Sequence, residues 1–265
     1  MSKWLILIVA ALLMFTGCRR EAPKQQLEED RTAKKMLQGI WVNDDQQDVA
    51  FMAKGDTIYY PDQTYQPAYF KIVGDTLFIN GSTPAKYVII KQAPHLFIFT
   101  NQTGDQVKLI KSSDPADRQM FIHKQPVALN LNQGKLIKKD TVVTQNGGRY
   151  HLYVQVNPTT YKVFKTTYND EGVAVDNVYY DNIIHVSVFK EAEQIYSHDF
   201  YKRDFSKELT ADVLRQTILS DMHFGPVDAK GFHFITDLVM PDSPTSFLVD
   251  VLITNKGHMS MHVAQ

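Results

Sequence analysis

The residues with the best claim to chemistry in this chain lie near its C-terminus, where Asp237, Asp250 and His262 fall on three successive strand-like segments. Asn255-Lys256-Gly257 suits a three-residue hairpin with glycine in the left-handed region, which sets Thr254 opposite His258, Leu252 opposite Ser260 and Asp250 opposite His262. Matching the apolar faces of the preceding hairpin puts Met240 opposite Phe247, Leu238 opposite Val249 and Asp237 opposite Asp250. The three side chains then stand side by side at about 5 Å spacing. Two opposed carboxylates repel, so this register demands compensation by a protonated His262, a bound cation or solvent. With a cation the trio is a metal site able to assist hydrolysis. Without one it is a wet sheet face, and a one-residue slip of either strand disperses it.

Other chemistry-bearing patterns are poorer. His258-Met259-Ser260-Met261-His262 offers soft ligands for copper or zinc, but on a strand the two imidazoles are about 13 Å apart, too far for one ion. Asp44-Asp45-Gln46-Gln47-Asp48 lacks the glycine and terminal glutamate of a calcium loop and reads as a solvated turn. His198-Asp199 and Asp221-Met222-His223 are read as surface residues, because sequence neighbours on a strand point to opposite faces. There is no Gly-x-Ser-x-Gly elbow, phosphate loop, dinucleotide fingerprint or His-Glu-x-x-His pair. Tyr59, Tyr60, Tyr65, Tyr69, Tyr179 and Tyr180 are of a type to line a glycan or lipid groove, or to pack across strands.

The chain must position these residues with 265 amino acids, a formal charge of −1 and a single cysteine, Cys18. The near-balanced charge gives no sign of nucleic-acid binding, which calls for a basic patch. Lys3, an apolar run over residues 4–15 and the small pair Thr16-Gly17 have the layout of an export signal, too short for a membrane span of about 20 residues. Phe15-Thr16-Gly17-Cys18 resembles a bacterial lipobox, which implies cleavage before Cys18 and acylation of its thiol and amino group. Two or three acyl chains anchor a protein stably, where one does so only marginally. With Cys18 lipidated no thiol remains for disulfides, thiolate metal sites or nucleophilic catalysis. Arg19-Arg20-Glu21-Ala22-Pro23-Lys24 lacks the acidic cluster that resembles a surface-export tag and has no Asp after the cysteine, which implies an outer-membrane lipoprotein facing the periplasm.

Patterning divides the chain into a signal over residues 1–17, a polar tether over 18–33, a β-meander over 34–112, an irregular junction over 113–140 and a second β-unit over 141–265. A helical turn over 32–37 closes the tether at Gly39. In the meander, Gly55-Asp56, Gly74-Asp75 and Gly104-Asp105 each precede a strand, and glycine at the first central position suits a tight hairpin. The second unit carries strands near 141–145, 150–156, 161–168 and 183–190. It also carries one helix over 210–222, capped by Thr210 with Val213, Leu214, Ile218 and Met222 as its apolar stripe.

Gly39-Ile40-Trp41, opening the first strand, resembles the Gly-x-Trp signature of lipocalins, which implies a barrel plugged by Trp41 at one end and open to ligand at the other. The whole chain is similar to a family of uncharacterised lipoproteins from Gram-negative gut anaerobes. The expectation is a mainly β protein of two antiparallel domains, a small lipocalin-like barrel and a sheet domain with one packed helix. It is expected to act without cofactor or catalysis as a membrane-tethered envelope binding module for a protein partner. The alternatives are capture of a small apolar or glycan ligand at Trp41, and a metal-assisted hydrolase built on Asp237, Asp250 and His262.

Overall fold

The structure is a computed structural model that describes residues 28–45, 48–122, 127–129 and 131–264. The export signal, Cys18 and most of the expected tether lie outside the described residues. The described chain begins with a helix, α1 (Arg31–Leu37), capped by the Asp30 carboxylate, which accepts from the Ala33 N–H. Eight strands follow: β1 (Gly39–Asn43), β2 (Val49–Lys54), β3 (Thr57–Tyr59), β4 (Ala68–Val73), β5 (Thr76–Asn80), β6 (Pro84–Ala93), β7 (Leu96–Thr100) and β8 (Gln106–Lys111). They close into an antiparallel barrel through β1 against β8. Gly55-Asp56 and Gly74-Asp75 form two-residue turns, with the glycines at φ +61° and +59°. Alternation puts Ile58, Phe70, Ile72, Leu77, Ile79, Phe97, Phe99 and Leu109 in one core, each such burial worth about 1.5–3 kcal/mol. An eight-stranded barrel is just wide enough to be filled by side chains, and this one is.

The second unit is a sandwich. One sheet orders β12 (Glu193–Phe200), β11 (Ala174–Lys190), β10 (Gly148–Tyr168) and β9 (Ile137–Gln145). The other orders β13 (Ile218–Val227), β14 (Phe232–Val239), β15 (Ser246–Ile253) and β16 (Met259–Val263). Their inner faces share a core that includes Leu152, Val154, Val186 and Val188 from one sheet and Met222, Phe234, Val249 and Val251 from the other. Short helices α2 (Pro115–Gln119) and α3 (Ala211–Gln216) and a 3-10 turn at Lys202–Phe205 complete the fold.

The helix expected over 210–222 ends early. Thr210 caps it through the Val213 N–H, but Thr217 is extended and Ile218 opens a strand. Ile218, Leu219 and Met222 are fully buried in that strand, and bulges at Leu219/Asp221 and Phe224/Val227 break its alternation enough to mimic a helical stripe. The strands expected near 150–156 and 161–168 are one element, β10. Pro158 and its neighbours do not end the strand but occupy a register shift between Pro158 and Lys162, a place where a sheet tolerates proline.

That length has a structural consequence. Beyond the shift, the β10–β11 hairpin leaves the sandwich and its tip enters the barrel mouth, where Val173 and Val175 join the barrel core. The Ala174 N–H donates to the Tyr87 hydroxyl at 2.6 Å. Asp176, 8% exposed, accepts from the Ser82 N–H (2.5 Å), the Ser82 hydroxyl (2.6 Å) and the Thr166 hydroxyl (2.7 Å). At the barrel's other end α1 lies across the opening with Ala33 and Leu37 in the core.

Candidate functional site

Trp41 is fully buried; its indole N–H donates to Leu37 O at 2.7 Å and Lys111 Nζ sits 4.9 Å from its ring centre. Its ring tilts against Phe97 at 5.9 Å. The residue therefore fastens α1 to β1 and β8. The end opposite it, where the resemblance places ligand entry, is filled by the β10–β11 tip.

Asp237, Asp250 and His262 share the outer face of the second sheet, but not as one group. Asp250 pairs with His262 as the hairpin at Asn255-Lys256-Gly257 requires, and His262 Nε2 lies 3.4 Å from its carboxylate. The β14–β15 register differs from the expected one by two residues: Asp237 faces Leu248, and Asp250 faces Ile235. A two-residue shift leaves every side chain on its face, so apolar matching cannot detect it. Each carboxylate consequently has its own histidine. His233 Nδ1 is 2.7 Å from Asp250 Oδ2, both half-buried, and His233 Nε2 is 3.5 Å from Asp228. The Asp228 carboxyl is held below its usual range, first by the Lys230 N–H and then by the Gly231 N–H and His233.

Asp237 instead lies in register with Asp221 on β13. The opposed pair is compensated as two close carboxylates must be. His223 Nε2 is 2.9 Å from Asp237, and Lys139 Nζ, reaching over from β9, is 2.6 Å from Asp221 and 3.2 Å from His223 Nδ1. Asp221 and His223, expected to be unrelated surface residues, are two apart and so share a face. With a lysine already seated between them, they form an ion network. Among the described residues no group of three His, Cys, Asp or Glu is placed to hold a metal.

The opposite face of the sandwich carries a second arrangement. On the outer side of the β9–β12 sheet, a shallow trough of about 420 Å³ is bordered by Asp140, Tyr153, Gln155, His185, Ser187 and Phe189. The Tyr153 hydroxyl lies 2.6 Å from His151 Nδ1, and His151 Nε2 lies 3.2 Å from Asp140. These partners assign the proton to Nε2, leaving Nδ1 to accept from tyrosine. Tyr153 meets Phe189 edge-on at 5.7 Å. Across the trough His185 Nδ1 is 2.7 Å from Asp199, which makes Nδ1 the donor nitrogen toward that carboxylate. Ser187 lies two residues from His185 on the same face, about 6.6–7 Å away along a strand, beyond the reach of a base on its nucleophile. The trough thus offers fixed donors, acceptors and aromatic edges.

A model of the family described as Domain of unknown function (DUF4738) matches residues 114–261, more than half of the chain. The chain belongs to that family. No curated protein matches it. The DUF4738 domain takes in α2 and the whole sandwich except the last two residues of β16, so both outer faces apart from His262 lie within it. Its Asp140–His151–Tyr153 group was open to sequence reasoning. Asn146-Gly147 forms a two-residue turn with both residues at positive φ, pairing Gln145 with Gly148 and hence Asp140 with Tyr153. His185 and Asp199 had no such signal. Their hairpin turns at Glu191, a non-glycine residue at φ +50°, and the strand pairing slips between Val188 and Phe189.

Proposed function

We propose that this chain is a non-catalytic binding module of the cell envelope, tethered by lipid on Cys18, whose DUF4738 sandwich engages an envelope protein through the β9–β12 face. The observation that carries this reading is the hairpin in the barrel mouth. With the barrel core filled and Val173 and Val175 seated in its opening, recognition falls to an outer surface. Tyr153 and Phe189 supply the aromatic anchors on which protein interfaces depend, ringed by Gln155, Lys138 and the two His–Asp pairs. Position supports it as well. The N-terminal segment leaves from the α1 end of the barrel, where the Asp30 N–H bonds to Ile72 O, while the sandwich hairpin occupies the other end. An anchor on Cys18 therefore sets the barrel nearer the bilayer and the sandwich farther from it.

The address rests on Phe15-Thr16-Gly17-Cys18, and the outer-membrane, periplasm-facing placement rests on the residues after it. Metabolic labelling with a palmitate analogue tests the anchor, with Cys18→Ala expected to abolish the label. A photocrosslinking amino acid in place of Phe189 tests the surface: it is expected to give a discrete adduct in cells, and the same group at Tyr69, on the barrel wall, none. Absence of any adduct from Phe189 and from Gln155 rejects the surface, whatever the labelling shows.

A further inference from the structure

A further cavity belongs to neither sandwich face. It has a volume of about 680 Å³ and lies beside the α1 end of the barrel, where the C-terminal end of β2, the end of β8 and α2 converge. That volume is in the range of small-molecule sites, about 300–1,000 Å³. Three cations from three different elements line it: Lys54 of β2, Lys111 of β8 and Arg118 of α2. None of the three is within ion-pair distance of a carboxylate among the described residues. Asp114 is the one carboxylate in the lining, and its Oδ1 accepts the Ala116 N–H that starts α2. Ser113 and Gln119 add neutral hydrogen-bonding groups at the rim.

We propose that this cavity is a binding site for a phosphate group. Three cations against Asp114 in the lining, with the Asp117 carboxylate behind it engaged by the Ser112 hydroxyl, leave a net positive charge suited to a phosphate group. Arg118 brings a fork of donors suited to paired phosphate oxygens, and the two lysines act as point charges beside it. Lys111 is fixed for this task. Its ammonium donates to Met36 O at 2.8 Å and is held over the Trp41 ring. Burial pushes its pKa down, a cost that an incoming anion would relieve. The cavity adjoins the helix through which the N-terminal segment enters the barrel, so a phospholipid headgroup and free phosphate are both chemically matched sources. Phosphate binding itself does not depend on the anchor or on the sandwich surface proposed above.

The test is isothermal titration of the full chain in neutral detergent with inorganic phosphate, with dihexanoyl phosphatidic acid and with dihexanoyl phosphatidylcholine, repeated on a Lys54→Ala, Arg118→Ala double variant. Both substituted residues are exposed, so the variant is expected to fold, and an unchanged circular dichroism melt verifies this. Saturable binding of phosphate or of phosphatidic acid, weakened about tenfold or more in the variant, is the expected result. Binding of both, or of phosphate alone, identifies the phosphate group as sufficient. Binding of phosphatidic acid alone, with phosphatidylcholine inert, identifies a headgroup. No saturable binding of either, or equal binding by the variant, overturns the proposal.

Discussion

Glu171 shows how a single residue pays for the architecture around it. It sits at the β10–β11 tip, 8% exposed at the barrel mouth, where Asn101 Nδ2–H reaches its carbonyl. Desolvation raises its pKa, reinforced by the nearby Asp170 and Asp48. Because the folded protein disfavours the carboxylate and the unfolded chain does not, ionisation subtracts stability as pH rises through the ordinary glutamate range, about 4.3. Below that range both states are protonated and the penalty disappears. Glu171→Gln is therefore expected to raise the melting temperature at pH 7 and to leave it nearly unchanged at pH 3.5. A thermal melt at the two pH values decides; a gain of equal size at both would assign the effect to packing instead of charge.

At the scale of elements, turn chemistry separates what the sequence discloses from what it hides. Gly55, Gly74, Asn146-Gly147 and Asn255-Lys256-Gly257 each have a backbone demand that few residues meet, and the hairpins they nucleate are the ones that sequence reasoning locates. The 240–245 loop has no comparable constraint apart from Asp242 at φ +51°, and there the register was free to differ by two. Pro158 and the paired bulges of β13 hid the remaining elements, since each departs from the simple period that identifies a strand. The two kinds of glycine turn make separable predictions. Gly55 has φ +61° and open space where a Cβ would stand, so Gly55→Ala costs only the left-handed strain, about 1 kcal/mol. Gly257 has φ +78°, and its Cβ would fall 2.2 Å from Ile195 O on β12. Gly257→Ala must displace backbone as well, and is expected to cost clearly more than Gly55→Ala, by about 1 kcal/mol or more in urea unfolding. Equal costs would mean that the β15–β16 turn is not seated on β12 in solution.

For the whole molecule the question is whether barrel and sandwich are two domains on a linker or one cooperative body. The β10–β11 hairpin answers through two kinds of contact: apolar, by Val173 and Val175 in the barrel core, and polar, by Asp176. Inside the sandwich the same strand holds Asp181, 6% exposed, which accepts the Leu219 N–H at 2.8 Å beside Lys202 at 3.4 Å. One strand thus carries anchoring groups of both units, Asp176 in the ladder beyond the register shift and Asp181 at the shift itself, so strain at one is passed to the other along β11. Asp176→Ala removes a charged acceptor from three donors, a loss of about 3 kcal/mol, while leaving both apolar cores intact. Under the proposed cleavage before Cys18, which would remove Trp4, Trp41 is the one remaining tryptophan and reports on the barrel. In the wild-type mature protein its fluorescence and far-ultraviolet circular dichroism are expected to melt together, as in a two-state transition. In Asp176→Ala the two curves are expected to separate, with the barrel and the sandwich unfolding at different temperatures. Coincident curves shifted to lower temperature would instead assign the coupling to Val173 and Val175, and would make the hairpin tip, not the carboxylate, the joint of the molecule.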